Sequence, residues 1–187
     1  TLGCFNNPTK LSDETLQEWA TLMHELPGSR LFLKSKPYTS EALCERIYTT
    51  LEQEGIDRER VLIEGPSQHL KLLAAYGKVD IALDPWPYSG GLTTCEALLM
   101  GVPVVTLPGP TFAGRHSATH LVNAGLPELV VNSWEEYRAR VIELASDLES
   151  LATIRTHLRD VLKQSPVCDG ARFARHLMMT LRAVWQR

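Results

Sequence analysis

Asp84-Pro-Trp-Pro-Tyr-Ser-Gly-Gly-Leu-Thr-Thr-Cys-Glu96 joins a β-rich run, residues 79–83, to an apolar helical stretch at 93–100. Strand, glycine loop and helix, in that order, are the repeating unit of parallel α/β sheets. The rhythm extends in both directions. Upstream, residues 30–34 and 60–64 read as strands, and 39–54 and 67–76 as helices. Before them Ser12 can cap a helix in which Leu16, Trp19, Ala20 and Met23 recur at helical spacing until Pro27-Gly28 stops it. The residues preceding Phe5 read as a truncated first strand. Downstream, 102–107 is a strand and 113–124 a helix; a short strand follows near 129–131, a helix opens at Ser133, and 144–162 and 171–185 are further helices. The expected fold is α/β, a parallel sheet with helices on both faces. One lobe covers 1–187, with C-terminal helices from about 166 to 187.

Composition bounds the function. At about 100–200 residues per domain, 187 residues make one folded lobe, and 44% hydrophobic with 22% charged residues is a globular balance. Nineteen Lys plus Arg against 22 Asp plus Glu give a net charge of −3. That excludes a global positive field, so neither nucleic acid nor an anionic membrane is an expected partner. Any anion site must be local. Cys4, Cys44, Cys95 and Cys168 form no C-x-x-C pair, which suggests neither a zinc ribbon nor a disulfide framework and favours a cytoplasmic setting. The least charged stretch, 97–108, is shorter than the about 18–20 residues of a membrane helix. The chain opens at Thr1 with no signal pattern and reads as a cut from a longer protein.

In open parallel sheets, ligands bind beyond the carboxyl ends of the strands, where the following helices present their N-termini. The 84–96 loop therefore draws the eye. Backbone N–H groups near Gly91, Leu92, Thr93 and Thr94, with the positive end of a helix dipole, suit a phosphate or diphosphate. Gly90 and Gly91 allow close approach of its oxygens. Glu96, one turn on, could accept from a ribose diol. A second reading fits the same letters: Thr93 as an N-cap, with Glu96 its capping-box partner.

Weaker signals surround this one. Gly109-Pro-Thr-Phe-Ala-Gly-Arg-His116 nearly spells a P-loop, but Arg115 replaces its lysine, His116 its hydroxyl, and Pro110 removes a donor. It is expected to pack beside the first site. His116 and His120 lie four apart without a third ligand, so no metal site is assigned. His69, just after a strand, could reach a ligand at the same sheet edge, and Lys10, after the first strand, could neutralise a phosphate.

Together these letters resemble the bacterial relatives of the O-linked N-acetylglucosamine transferase, in the C-terminal half of their catalytic region. The matching text is Phe5-Asn-Asn-Pro-Thr-Lys-Leu11, Asp80 through Leu98, Gly101-Val-Pro-Val-Val-Thr106 and Pro108 through Ser117. The resemblance implies one Rossmann-like lobe of a two-lobed GT-B enzyme that holds UDP-N-acetylglucosamine. It makes Lys10 the catalytic lysine that neutralises the diphosphate and sets Asn7 beside it. Gly91, Leu92 and Thr93 receive the diphosphate, Glu96 the ribose, and Gly65, Pro66 and Ser67 the uracil, with His69 an approximate counterpart of a further uracil contact. Gly91 and Leu92 stand where the animal enzymes carry histidine and threonine. The implied reaction is inverting transfer of N-acetylglucosamine to protein Ser or Thr. No D-x-D is present, so no metal or other cofactor is expected, and no general base is evident. An N-terminal lobe and tetratricopeptide repeats would lie outside this chain, leaving the fragment alone inactive. Alternatives are a non-catalytic nucleotide-binding or interaction module and a UDP-sugar epimerase of the same architecture.

Overall fold

A computed structural model describes residues 1–186; Arg187, the last residue of the expected tail, lies outside them. Five parallel strands, β1 (Leu2–Cys4), β2 (Leu31–Lys34), β3 (Val61–Glu64), β4 (Ile81–Leu83) and β5 (Val104–Val105), form one sheet in the order β3-β2-β1-β4-β5. Register is set by pairs such as Leu2 with Leu31 and Leu2 with Ile81. β1, β2, β4 and β5 are buried throughout, as covering by helices on both faces requires, while the edge strand β3 buries only Val61. The chain runs outward from β1 to β3, returns, and continues from β4 to β5. The order reverses between β1 and β4, and the crevice that such a reversal opens is where the site lies.

The helices are α1 (Asp13–Glu25), α2 (Glu41–Gln53), α3 (His69–Ala75), α4 (Leu92–Leu99), α5 (His116–Asn123), α6 (Trp134–Ser146), α7 (Leu148–Gln164) and α8 (Gly170–Trp185). Ser12 caps α1, its Oγ accepting from the Thr15 amide at 3.1 Å, and Leu16, Trp19, Leu22 and Met23 are fully buried. α1 packs on α2 and α6, and α4 on α7 and α5. Arg155 of α7 donates to the carbonyls of Val79 and Asp80, and Arg159 to that of Leu99, pinning the helix across the sheet's lower edge. α8 buries no side chain.

Four local expectations shift. The strand expected at 102–107 is reduced to Val104–Val105, and that expected near 129–131 to a single bridge between Thr106 and Val130. Pro103, Pro108 and Pro127 lack the amide a ladder needs, and Pro127 opens a 3-10 turn instead. The helix expected to begin at 144 starts at Leu148, because Asp147 accepts from the Ser150 amide at 3.0 Å and opens a new helix one residue after α6 ends. Residues 112–114 form a 3-10 turn, so α5 begins at His116 rather than at 113.

Asp84, at the end of β4, locks the crevice. Its Oδ1 accepts from the Gly90 amide at 2.6 Å, its Oδ2 from Thr106 Oγ1 at 2.6 Å, and its carbonyl from the Tyr137 hydroxyl at 3.2 Å. Burial raises this carboxyl from 3.8 to about 6 against the opposing pull of those donors. A carboxyl whose folded value is raised takes stability away as pH climbs, because the unfolded chain ionises first. Asp84→Asn keeps the shape and an acceptor for Gly90. Its stability relative to the parent should rise between about pH 4 and about pH 6, by roughly 3 kcal/mol at the plateau. Urea unfolding across that range checks this, and a constant difference between the two proteins would refute it.

Candidate functional site

Two segments meet at the crevice. After β1, Asn7 caps a 3-10 turn, Pro8–Lys10, through bonds of 3.0 Å from the Thr9 amide and hydroxyl, and the turn sends Lys10 back over the sheet end. Its Nζ donates to the Ser89 carbonyl at 2.7 Å and to Asn6 Oδ1 at 3.4 Å, and lies 4.0 Å from the centre of the Tyr88 ring. Burial lowers the Lys10 ammonium from its ordinary value, and the Asp84 carboxylate works against that shift. A half-buried ammonium with donor capacity left is suited to an anion.

After β4 the chain passes a cis Trp86–Pro87 bond and reaches α4. The Trp86 carbonyl accepts from Ser12 Oγ and Thr15 Oγ1, tying this loop to α1. The N-cap of α4 is Gly91, with no side chain capping the helix. Among the described residues no protein acceptor takes the amides of Gly91, Leu92 or Thr93. The capping-box reading of Thr93 and Glu96 is thereby overturned. Thr93 lies inside the helix and its Oγ1 donates to Asn6 Oδ1 at 2.9 Å; Glu96 instead faces His69, Nδ1 to Oε1, at 3.9 Å. Burial raises the Glu96 carboxyl, and His69 opposes that rise. Three free amides, the helix dipole and an ammonium converge where a diphosphate could lie.

Other marked residues hold the mouth in shape. Gly90 gives its amide to Asp84 and its carbonyl to Ser117 Oγ at 3.0 Å. The Thr94 amide bonds Gly91, and its hydroxyl meets that of buried Ser117 at 2.7 Å. Thr94 therefore has no donor left for a ligand, contrary to the expectation for it, and the amide of Gly90, expected only to allow close approach, is already taken. A Cβ on Gly90 would come within 2.5 Å of Thr94 Oγ1, which explains the glycine.

The Gly65-Pro66-Ser67 segment follows β3, two strands from β1. The Gly65 carbonyl accepts from buried Lys34 at 3.2 Å, and Ser67 Oγ is buried with no hydrogen-bond partner. The side chain of His69 is 67% exposed. In the second glycine loop the Gly109 amide closes on the Gly114 carbonyl at 2.8 Å, and Arg115 turns to the Pro110 carbonyl at 3.3 Å. A Cβ on either glycine would collide with the Pro87 carbonyl. The P-loop letters therefore reflect packing against the 84–96 loop, as expected. Among the described residues no three His, Cys, Asp or Glu side chains gather as metal ligands.

Asn6, Ser89, Ser117 and Tyr76 escaped the sequence reading. Asn6 rather than Asn7 points into the crevice, and alternation along the end of β1 is the only signal that could have separated them. Tyr76 donates to the Thr93 carbonyl at 3.2 Å and stacks 4.1 Å from Phe5, supporting α4 from below.

The chain is similar over 191 residues, at 41% identity, to a Petunia hybrida protein named a probable UDP-N-acetylglucosamine–peptide N-acetylglucosaminyltransferase, SPINDLY, covering 100% of this chain and 20% of that protein. A Caenorhabditis elegans UDP-N-acetylglucosamine–peptide N-acetylglucosaminyltransferase shares 27% over 183 residues, 98% of this chain and 16% of its own length. The chain thus spans about a fifth of the curated relatives it matches. Among solved structures, a mutant O-GlcNAc transferase of Thermobaculum terrenum superposes with a TM-score of 0.92 at 40% identity, over 98% of this chain and 35% of that one. Anabaena HepE in complex with UDP shares the fold, with a TM-score of 0.65 at 20% identity over 95% of this chain and 48% of that one. The architecture is that of a Rossmann-like GT-B lobe. Residues 2–177 match the profile of Glycosyl transferase family 41, and the chain belongs to that family.

Proposed function

We propose that this lobe binds the UDP part of UDP-N-acetylglucosamine for an inverting, metal-independent transfer of the sugar to protein Ser or Thr. The observation that carries the reading is the uncapped mouth of α4 beside the Lys10 ammonium. As the glycosidic bond breaks, negative charge gathers on the departing diphosphate. Amides and an ammonium fixed before the reaction stabilise that charge without reorganising. Lys10 is the group acting on the leaving oxygens, Glu96 accepts from the ribose hydroxyls, and Gly91, Leu92 and Thr93 supply the amides. The loop of Gly65, Pro66 and Ser67, with His69, receives the uracil. The partnerless Ser67 hydroxyl supports that placement, since a buried polar group without a partner is costly.

In the parent protein, an N-terminal lobe closes the cleft and tetratricopeptide repeats present the acceptor. The relatives' greater length leaves room for both. The general base belongs to that remainder or to the substrate, and the lobe alone binds nucleotide without turning over sugar. Four free cysteines favour a reducing, cytoplasmic setting. Among the described residues no helix is long and apolar enough to cross a membrane.

Calorimetry with UDP tests the site. Charge-assisted contacts are worth roughly 1.5–3 kcal/mol, so Lys10→Ala and Glu96→Ala should each weaken UDP about tenfold or more with circular dichroism unchanged. Unaltered affinity in both would remove them from the site. Independence of metal predicts equal UDP affinity with magnesium and with a chelator; loss of binding on chelation would contradict it.

A further inference from the structure

The imidazole of His116 has no role in the site as assigned above, yet it stands at the edge of the α4 mouth. His116 is the first residue of α5, and its amide donates to Ser89 Oγ at 3.0 Å. The carbonyl of the same Ser89 accepts from Lys10 Nζ at 2.7 Å. One serine therefore fixes both the ammonium and the start of the histidine's helix. The Phe112 ring meets the imidazole edge to face at 4.7 Å and 84°, which sets the ring's plane.

Position 91 leaves the approach open. A Cβ placed on Gly91 would lie 3.8 Å from His116 Nδ1, and His116 is its one neighbour within 4 Å. The imidazole thus borders the N-cap of α4 with no side chain of residue 91 between them. Neither ring nitrogen hydrogen-bonds any described residue, and among the described residues no carboxylate lies within ion-pair distance of the ring. The charged and titratable groups around it are Arg115 and His120 on its own segment and Lys10 across Ser89.

We propose that His116 is a further diphosphate-binding residue: its imidazole donates to a phosphate oxygen held at the mouth of α4. This rests on the donor-site reading above and extends it. Lys10 reaches the anion from the β1 turn, the amides from α4, and His116 from α5, so three separate elements enclose the leaving group. A ring N–H donating to an anionic oxygen makes a charge-assisted hydrogen bond.

The test compares the parent chain with His116→Ala and His116→Gln. UDP is titrated by calorimetry, and uridine, which lacks the phosphates, by ligand-observed NMR. Both substitutions should weaken UDP about three- to tenfold and leave uridine affinity unchanged. Thermal unfolding confirms that the variants fold.

UDP affinity equal to the parent's would overturn the assignment while leaving the donor site intact. Equal losses for UDP and uridine would also overturn it, since they mark a structural disturbance. Failure of the parent chain itself to bind UDP would remove the donor-site reading and the His116 assignment together.

Discussion

The hydrogen bond from the Gly90 amide to the buried Asp84 carboxylate is the constraint around which the functional end of the lobe is arranged. It bends the chain after β4 so that α4 starts with its amides facing the crevice. The other oxygen of the same carboxylate reaches Thr106 beyond β5, and the backbone carbonyl reaches Tyr137 of α6. Loop, sheet and helix are thereby referred to one side chain. Such a charge is costly to bury, and its raised pKa records that cost. What it gives in exchange is geometry, because a mouth of free amides binds an anion only if nothing lets it collapse onto its own side chains.

A second layer of contacts keeps that mouth open. Ser89 and Ser117 are buried hydroxyls joining the loop to α5, and Asn6 joins the end of β1 to Thr93. The free groups at this mouth are backbone amides, one ammonium and the imidazole of His116, while side chains with fixed partners stand behind them. This division explains why glycine recurs in the loop. At Gly90 a side chain would strike its supports, and at Gly109 and Gly114 it would strike the neighbouring loop.

The fold was largely legible in the sequence because its signals are local. Ser12 and Ser133 cap the helices they were expected to cap, and the alternation of apolar runs with amphipathic stretches gave the parallel sheet. What could not be read depended on contacts between distant segments. Two local boundaries also moved: the Asp147 cap starts the second of the two expected helices at Leu148 rather than at 144, and the prolines at 103, 108 and 127 trim the last strands. In the site, Lys10, Gly91, Leu92, Thr93 and Glu96 gather at the crevice. Gly90 and Thr94 turn their polar groups inward, since spacing shows which amides lie near a helix start but not which ones the protein already occupies. Asn6 carries no sequence mark, and the letters around His116 point to a P-loop or a histidine pair rather than to this crevice; only the proximity of β1, α4 and α5 reveals them.

α8 stands apart from this cooperative body. Its sixteen residues bury no side chain, and Phe173 is 66%, Met179 68% and Trp185 90% exposed. Its only capping side chain is that of Asp169, which accepts from the Arg172 amide at 2.8 Å. A helix supported by its own backbone and one cap is marginal in water. Its peptide protons therefore trade with deuterium from the solvent through local fraying, long before those of the central strands, which wait for the whole lobe to open.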